Sequence, residues 1–304
     1  MNTVRKCWAR PFFIRLLGWI VGCFCCCAVL GQAPNRSLSQ EIDFARHLSK
    51  KGLHNDAIFQ LNRIRNQYSL STPGLDSLNY FTGWSLYEIK SLDSGVHYFG
   101  QVSANSGFYH EAGFFASISE VTLGNYGAAT RRLMGLENLD QLSFGTEFRD
   151  FQLAGIALLQ ADYAGFDSLA TGFTKSYYQF AREEEDLMNI SLELRSIKNR
   201  KMWKAGMLSA VAPGAGKMYA GKTKEGVVAM MQVLALGAVA YEQYRRYGVS
   251  DPRFILFGGV FTVFYVGNIW GSALSVKIKR DEQLYDLHER ILLDLHIPVR
   301  TLFN

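Results

Sequence analysis

The stretch FILFGGVFTVFYVGNIWGSALSV, residues 254–276, carries no charged side chain over 23 positions. A helix of about 20 apolar residues crosses the hydrocarbon core of a bilayer, so this stretch predicts a transmembrane helix. A second uncharged stretch, GVVAMMQVLALGAVAY at residues 226–241, precedes it, and the polar segment EQYRRYGVSDPR separates the two. The pair predicts a transmembrane helical hairpin; two buried helices of a soluble protein are the alternative.

Small and aromatic residues indicate how this hairpin packs. Gly267 and Gly271 have the GxxxG spacing that permits close approach of helices in lipid, which predicts a packing role for both. Tyr241 and Tyr244 suit the interface between the membrane and water.

Upstream of the hairpin, SAVAPGAGKMYAGKTKEG at residues 209–226 has the glycines and the lysine of a phosphate-binding loop. The pattern GxxxxGK[ST] needs a glycine and a hydroxyl where this chain has Val211 and Met218. The dinucleotide pattern GxGxxG fails because Tyr219 occupies the third glycine position. The preceding run, RKMWKAGMLSAV, is typical of a helix and not of a strand. We therefore expect no nucleotide to bind here.

The same segment resembles a motif of small bacterial membrane domains, PGxGQxYxG followed by KG and an apolar helix. Its members in this chain are Pro213, Gly214, Gly216, Lys217, Tyr219, Gly221, Lys224 and Gly226. Lys217 departs from the family, which usually has glutamine there. Such domains have two transmembrane segments, occur in uncharacterised Bacteroidota membrane proteins, and are in some cases fused to helical repeats. The resemblance implies a membrane domain over residues 203–276 and no particular chemistry.

The residue types of this motif also predict its shape. Pro213 lacks an N–H and ends a helix, and Gly214 and Gly216 allow a tight reversal. These residues predict an interfacial or re-entrant turn that leads into the first spanning helix, with Lys217 and Tyr219 in the headgroup layer. The lysines are candidates for contact with an anionic lipid headgroup.

Four stretches in the first two thirds of the chain each predict a helix, a short turn and a second helix. They are residues 44–64, 81–102, 113–136 and, in a more degenerate copy, 151–173. Ala57, Gly95 and Ala129 open the second helices and are 38 and 34 residues apart. The segments KKGLHNDAI and TLGNYGAAT resemble the turn and alanine signature of the tetratricopeptide repeat, whose period is 34. The resemblance implies a tetratricopeptide-like solenoid over residues 38–175, a fold whose concave surface usually binds peptides or proteins.

Small residues are expected where paired helices of these repeats touch. The predicted contacts are Gly52, Ala57, Gly83, Gly95, Gly124 and Ala129. Aromatic residues at helical spacing favour a core over a ligand groove, because large apolar side chains are mostly buried. They are Tyr80, Trp84, Tyr87, Tyr98, Phe99, Phe114 and Phe115.

Two further segments complete the predicted order. Residues 176–202 are expected to form a linking helix whose four consecutive acids, residues 183–186, face solvent. Residues 277–304 predict an amphipathic tail that lies on the membrane or docks on the repeats, with His288 and His296 on its surface. Its apolar face consists of Leu284, Leu287, Ile291, Leu292 and Leu295.

The N-terminus has the features of an export signal. Residues 1–31 carry four basic side chains and no acidic one, and residues 16–30 form an apolar run. The pattern predicts a signal peptide cleaved near Gly31; an uncleaved anchor, or a lipoprotein modified at Cys23, is the alternative. All five cysteines lie within the first 27 residues, so the remainder has no disulfide and no thiol chemistry.

The distribution of charge excludes one class of partner. Residues 32–200 carry 15 basic and 19 acidic side chains, so the repeats lack the basic face of a nucleic-acid-binding protein. No set of residues suggests a catalytic centre, a metal or a cofactor. The sequence thus predicts an all-α protein, a helical-repeat solenoid followed by a C-terminal transmembrane hairpin.

The predicted function is that of a non-enzymatic scaffold at the bacterial inner membrane, whose repeats, on the periplasmic side, bind envelope proteins or peptides. A membrane-embedded role in lipid handling or membrane-protein insertion, through the glycine motif, is the alternative. Arg245, Arg246 and Arg253 agree with a cytoplasmic hairpin loop, yet basic residues also flank the opposite end. Those residues are Lys222, Lys224, Lys277, Lys279 and Arg280.

Overall fold

A computed structural model describes residues 37–303, and these residues form helices and no strand. The all-α prediction is therefore confirmed for this part of the chain. The signal peptide predicted at residues 1–31 lies outside the described residues. The chain divides into two compact units, one up to Ala112 and one from Gly113 onward.

Thirteen α-helices occur among the described residues. They are α1 (Leu38–Lys50), α2 (His54–Gln67), α3 (Thr72–Glu88), α4 (Leu92–Phe99), α5 (Tyr109–Thr122), α6 (Tyr126–Met134), α7 (Gly145–Leu159), α8 (Tyr163–Ala170), α9 (Ala181–Ser196), α10 (Met202–Val211), α11 (Ala215–Ala220), α12 (Thr223–Tyr247) and α13 (Pro252–Phe303). The boundary between the units falls within α5. A short 3-10 helix, Leu139–Gln141, precedes α7.

The first eight helices form four helix–turn–helix pairs, and the turns share one backbone geometry. Each turn places a residue in the left-handed region: Gly52, Lys90, Gly124 and Ala161. The residue that follows donates its N–H to a carbonyl five residues earlier, as in Leu53 to Leu48 (3.0 Å) and Asn125 to Glu120 (2.8 Å). This is the bond that closes a Schellman motif at a helix end. The pairs are thus repeats in local structure, whereas their stacking as a tetratricopeptide solenoid stays a prediction.

Some of the glycines and alanines in these pairs lie where the two helices are in close contact. Ala57 and Ala129 are fully buried, and a Cβ on Gly83 would lie 2.8 Å from the ring of Phe99. A Cβ on Gly95 would likewise lie 3.3 Å from the carbonyl oxygen of Gly83 on the partner helix.

The helix contacts predicted for Gly52 and Gly124 are wrong. Both have open space where a Cβ would stand, and both have a positive φ, of 76° and 77°. They supply a conformation that other residues adopt at a cost, and they do not bring helices together.

Aromatic side chains fill the core of each unit. In the first unit, Tyr80 and Phe108 stack with their ring centroids 4.5 Å apart, and Tyr87 and Phe99 are buried. In the second unit, the fully buried rings include Phe114, Phe115, Phe148, Phe151 and Phe180. Five of the seven aromatic residues predicted as core are buried, while Trp84 and Tyr98 are half-buried.

Residues 176–202 do not form one linking helix. Helix α9 covers only Ala181–Ser196, and residues 197–201 connect it to α10 without helical structure. Helix α9 packs against α13 and α7, so it belongs to the core of the second unit. The predicted exposure of the acidic run is also wrong at one position, because Glu184 is fully buried.

The predicted tail is not a separate element either. Helix α13 runs without a break from Pro252 to Phe303, and its last part docks on α7 and α9. Leu295 packs directly on Gly155, and the amide nitrogen of Gln152 donates to the carbonyl of Leu295 at 2.9 Å. The ring of Phe303 stacks on Phe114 with centroids 5.4 Å apart. The end of α13 therefore completes the core of the second unit.

Candidate functional site

Two helices among the described residues are long and apolar enough to cross a membrane, Thr223–Tyr247 and Pro252–Phe303. Only 6% of the most apolar 18-residue window of α13 is buried within the chain. Exposed apolar surface of this extent marks a membrane or a partner surface. The alternative of two buried helices in a soluble core does not fit this exposure.

The glycine motif forms a helical turn that packs against this hairpin. Gly214 ends the reversal after α10 with a φ of 84°, and a Cβ there would collide with the carbonyl oxygen of Gly226 on α12. A Cβ on Gly216 would collide with the carbonyl oxygen of Ala205 on α10. The two glycines thus allow α11 to approach the backbone of two neighbouring helices at once, which any larger side chain would prevent.

Serine hydroxyls join the turn to α13. The N–H of Gly216 donates to Ser209 Oγ at 2.9 Å, and Ser209 Oγ donates to Ser272 Oγ at 2.7 Å. Both serines are fully buried. Nearby, the hydroxyl of Tyr265 donates to the carbonyl of Ala210 at 2.5 Å. Within this packed turn, polar groups are satisfied by one another, as an apolar surrounding requires.

The remaining motif residues divide between structure and surface. Gly221 has a φ of 93°, and Gly226 is buried with Met218 Cγ 2.6 Å from the position of a Cβ. Tyr219 is not a free surface anchor, because the guanidinium of Arg200 lies 5.7 Å from its ring centroid. Lys224 is exposed, while Pro213 and Lys217 are half-buried.

Gly267 and Gly271 do not mediate helix packing within the chain, contrary to the prediction. A Cβ on either would meet nothing within 4 Å. The face of α13 that packs against α10 and α11 is polar and small instead, and it contains Asn268, Ser272 and Ser275. The GxxxG spacing therefore pointed to the wrong face of the correct helix.

A cavity of about 320 Å³ lies between α12 and α13 beside α11. Its lining includes Lys217, Gln232 and Asn268, with apolar walls from Val233 and Val263. Asn268 is 7% exposed, and neither of its amide atoms has a hydrogen-bond partner among the described residues. The sequence contains one signal for this site, because Asn268 is a polar residue within an uncharged and largely apolar stretch.

A second cavity, of about 700 Å³, lies where α13 leaves its apolar stretch. Its basic lining residues are Lys198, Arg200, Lys279, Arg280 and Arg290, and its acidic ones are Glu193 and Asp286. Arg290 is paired with Glu193 at 2.9 Å. Cationic pockets beside a spanning helix are suited to anionic lipid headgroups.

The charges around this cavity are partly neutralised by salt bridges. Lys222 Nζ lies 2.9 Å from Glu282 Oε1, and this hydrogen bond holds the pKa of Glu282 below its usual value. Lys279 and Arg280 of the lining also lie 3.7 Å from carboxylate oxygens of Glu282 and Asp281, respectively, so part of the positive charge of the lining is paired.

Two carboxyl groups in the second unit, those of Glu184 and Asp294, have raised pKa values. Burial, followed by the charge of Glu147, raises the pKa of Glu184 to about 7. Glu184 Oε2 accepts from the N–H of Lys175 at 3.0 Å, and Glu147 accepts from the N–H and the hydroxyl of Thr174. These bonds fix the irregular segment before α9, which explains the buried carboxyl without a catalytic role.

The second of these groups lies on α13. Burial, followed by the charges of Asp186 and Glu183, raises the pKa of Asp294 to about 6. Among the described residues, no group of three or more histidine, cysteine, aspartate or glutamate side chains is arranged to hold a metal ion.

No protein-family model, no curated protein and no solved structure matches the chain. The resemblance to tetratricopeptide repeats and to the PGxGxxYxG membrane domains therefore rests on the residues quoted above, and the function must be argued from the geometry.

Proposed function

We propose that this protein is a non-enzymatic, membrane-anchored scaffold whose helix pairs bind other proteins or peptides of the cell envelope. The observation that carries the proposal is the continuity of α13. One helix begins in the apolar hairpin and ends in the core of the second unit, where Leu295 packs on Gly155. A binding domain mounted in this way is held by a helix and not by a flexible linker.

The docking of α13 also supports a hairpin with two spans. The residues around Leu295 must lie on the same side of the membrane as α7, since the two are in contact. Two spans, α12 and the first part of α13, return the chain to that side, whereas a single span would separate the partners.

The signal peptide predicted at residues 1–31 supports a periplasmic position for the helix pairs at a bacterial inner membrane. Cysteine labelling tests this placement, because all native cysteines lie in the first 27 residues. We expect a membrane-impermeant maleimide to label Lys51→Cys in cells with a permeabilised outer membrane, and to label Ser250→Cys only after the inner membrane is opened. The reverse pattern would place the repeats in the cytoplasm.

Site-specific photocrosslinking in cells tests the scaffold itself. Phe59, on α2, is 72% exposed, and Leu256, on α13, is 63% exposed. A photoreactive residue at position 59 should give reproducible adducts with one or a few envelope proteins, whereas the same residue at position 256 should react with lipid. If the protein at position 59 gives no adduct while it remains in the membrane fraction, binding through this face is refuted.

A membrane-embedded role in lipid handling or membrane-protein insertion is the second candidate. The cavity lined by Lys198, Arg200 and Lys279 supports it, because a scaffold has no need of a cationic cavity beside its spanning helices. Charge-neutral variants of these residues separate the candidates. Loss of function with unchanged partner adducts at position 59 would favour the second, and retained function would favour the first.

A further inference from the structure

The side chain of Asn268 is a polar group without a partner in an apolar segment. It is 7% exposed, and both its amide nitrogen and its carbonyl oxygen lack a hydrogen bond among the described residues. Leaving a buried polar group unpaired is destabilising, because the group has lost its hydrogen bonds to water. In membrane proteins such side chains face a cavity or a neighbouring chain and mark functional sites.

The cavity beside Asn268 has the size and the largely apolar lining of a site for an apolar group. It measures about 320 Å³, and Ala229, Val233 and Val263 contribute to its walls. Gly267 is part of the lining and leaves open space where a side chain would stand. Apolar walls of this kind favour a hydrocarbon chain. They provide few hydrogen-bond partners for a sugar phosphate or a nucleotide.

Lys217 places a positive charge on the lining of the same cavity. Its side chain is half-buried and makes no hydrogen bond or ion pair with any described residue. Helix α11 holds it there, because the neighbouring Gly216 is fixed against Ala205 and Ser209. A partly buried lysine side chain without a counter-ion favours an anionic ligand.

We propose that this cavity binds an anionic amphiphile from the bilayer. The ammonium group of Lys217 pairs with its phosphate or carboxylate, and the amide of Asn268 bonds to an ester carbonyl or a hydroxyl. The first part of the hydrocarbon chain lies along Val233 and Val263. This inference rests on the membrane-anchored hairpin of the proposed function and extends it with a specific ligand class.

Photolabelling of the full chain in lipid nanodiscs tests the site. The discs consist of phosphatidylcholine and contain, as a minor component, either phosphatidylglycerol or oleate with a photoreactive chain; labelled peptides are identified by mass spectrometry. We expect label on α12 and α13, and Lys217→Gln should reduce it about fivefold, since one lysine contributes about 1 kcal/mol to binding anionic lipid. The probe that labels more strongly identifies the anionic group as phosphate or carboxylate.

The matched control is Lys224→Gln. It removes the same charge from the same motif, but Lys224 is exposed and does not line the cavity. Equal losses of labelling in the two variants would show that surface charge alone causes the effect, which would overturn the proposal. Equal labelling by a photoreactive phosphatidylcholine, which carries no net charge, would also overturn it.

Asn268→Leu is a second test, in which thermal stability and lipid labelling should change in opposite directions. The leucine has a similar volume and removes both unpaired amide atoms, so the lipid-stripped protein should melt at a higher temperature while it loses its label. A lower melting temperature with unchanged labelling would show that Asn268 supports the fold and binds nothing.

Carbonate extraction of the parent protein distinguishes failure of this inference from failure of the anchor. Release of the parent chain from membranes would refute the hairpin anchor of the proposed function. Retention in the membrane, combined with equal labelling of all variants, would refute the lipid site alone.

Discussion

The two halves of α13 follow opposite rules of burial. Between residues 254 and 276 the helix exposes apolar side chains such as Leu256 and Trp270, and it buries Asn268 and Ser272. Further along, it buries Leu287, Ile291, Leu295 and Val299. Both halves belong to one continuous α-helix, so the inversion reflects what surrounds each half and not a change of secondary structure. The exposed apolar surface of the first half suits lipid, whereas the buried apolar face of the second half suits a protein core in water.

The strongest test of this comparison removes an apolar side chain from each half. Leu295→Ala should destabilise the protein by about 2–5 kcal/mol, because it opens a cavity in a closed core. Leu256→Ala, on the exposed side of the first half, should change stability by less than about 0.5 kcal/mol in detergent. Thermal unfolding of the two purified variants measures the difference. Similar effects at both positions would show that the two halves share one kind of surrounding.

The next test overpacks the glycine turn. Gly216→Ala should cost about 1–3 kcal/mol, because the new methyl group collides with the Ala205 carbonyl and forces α11 away from α10. Gly267→Ala is the matched control, with nothing within 4 Å of the new group. Folded yield and melting temperature in detergent give the comparison, and a neutral Gly216→Ala would contradict the close approach of the backbones.

A smaller loss of stability is expected when a hydrogen bond on the buried polar face of the first half is removed. Ser272→Ala removes the oxygen to which the Ser209 hydroxyl donates. The Ser209 oxygen would still accept a hydrogen bond from the N–H of Gly216. The loss should be about 1 kcal/mol, the usual net contribution of one hydrogen bond. Ser275→Ala serves as control, since its hydroxyl bonds only to the carbonyl of Gly271 on its own helix. Stabilisation by Ser272→Ala would mean that the serine pair is not bonded.

The smallest effect depends on pH and belongs to the second half. The pKa of Asp294 is raised to about 6 from an ordinary 3.8, so the folded state binds the proton more tightly than the unfolded chain. Stability is therefore lost as pH rises from about 4 to 6. Asp294→Asn should raise the melting temperature by a few degrees at pH 7.5 and leave it unchanged at pH 3.5.

Arg182 and Arg290 attract the charged form of this carboxyl, and Asp186 and Glu183 repel it. Solvent screens these charges at a half-buried group, which keeps the effect on stability small. A variant that is less stable than the parent at pH 7.5 would show that the arginines outweigh the two acids.

Patterns of apolar and small residues were sufficient to predict much of the fold. The all-α class, the helix pairs up to Ala170, and the two long apolar helices follow from local periodicity, which single segments encode. The left-handed residues at Lys90 and Ala161 could not be predicted, because neither residue type favours that conformation.

Contacts between residues far apart in the sequence could not be predicted from local sequence patterns. Gln152 and Leu295 are 143 residues apart, and no periodicity indicates that they meet. The same limit explains the error at Gly267 and Gly271, where spacing gave the helix but not the face that packs. Glu184 is a third case, because a run of four acids suggests a solvated face unless the neighbouring Lys175 backbone is known to approach it.

The docking of α13 on α7 also constrains the order of events during biosynthesis. The ribosome makes α5 to α9 first, then the hairpin, and only afterwards the residues around Leu295 that close the core. On emergence, the earlier helices thus display an unfinished groove that only a later segment of the same chain can fill. In the proposed topology, those helices lack this part of their core until the hairpin has been inserted and the chain has returned across the membrane.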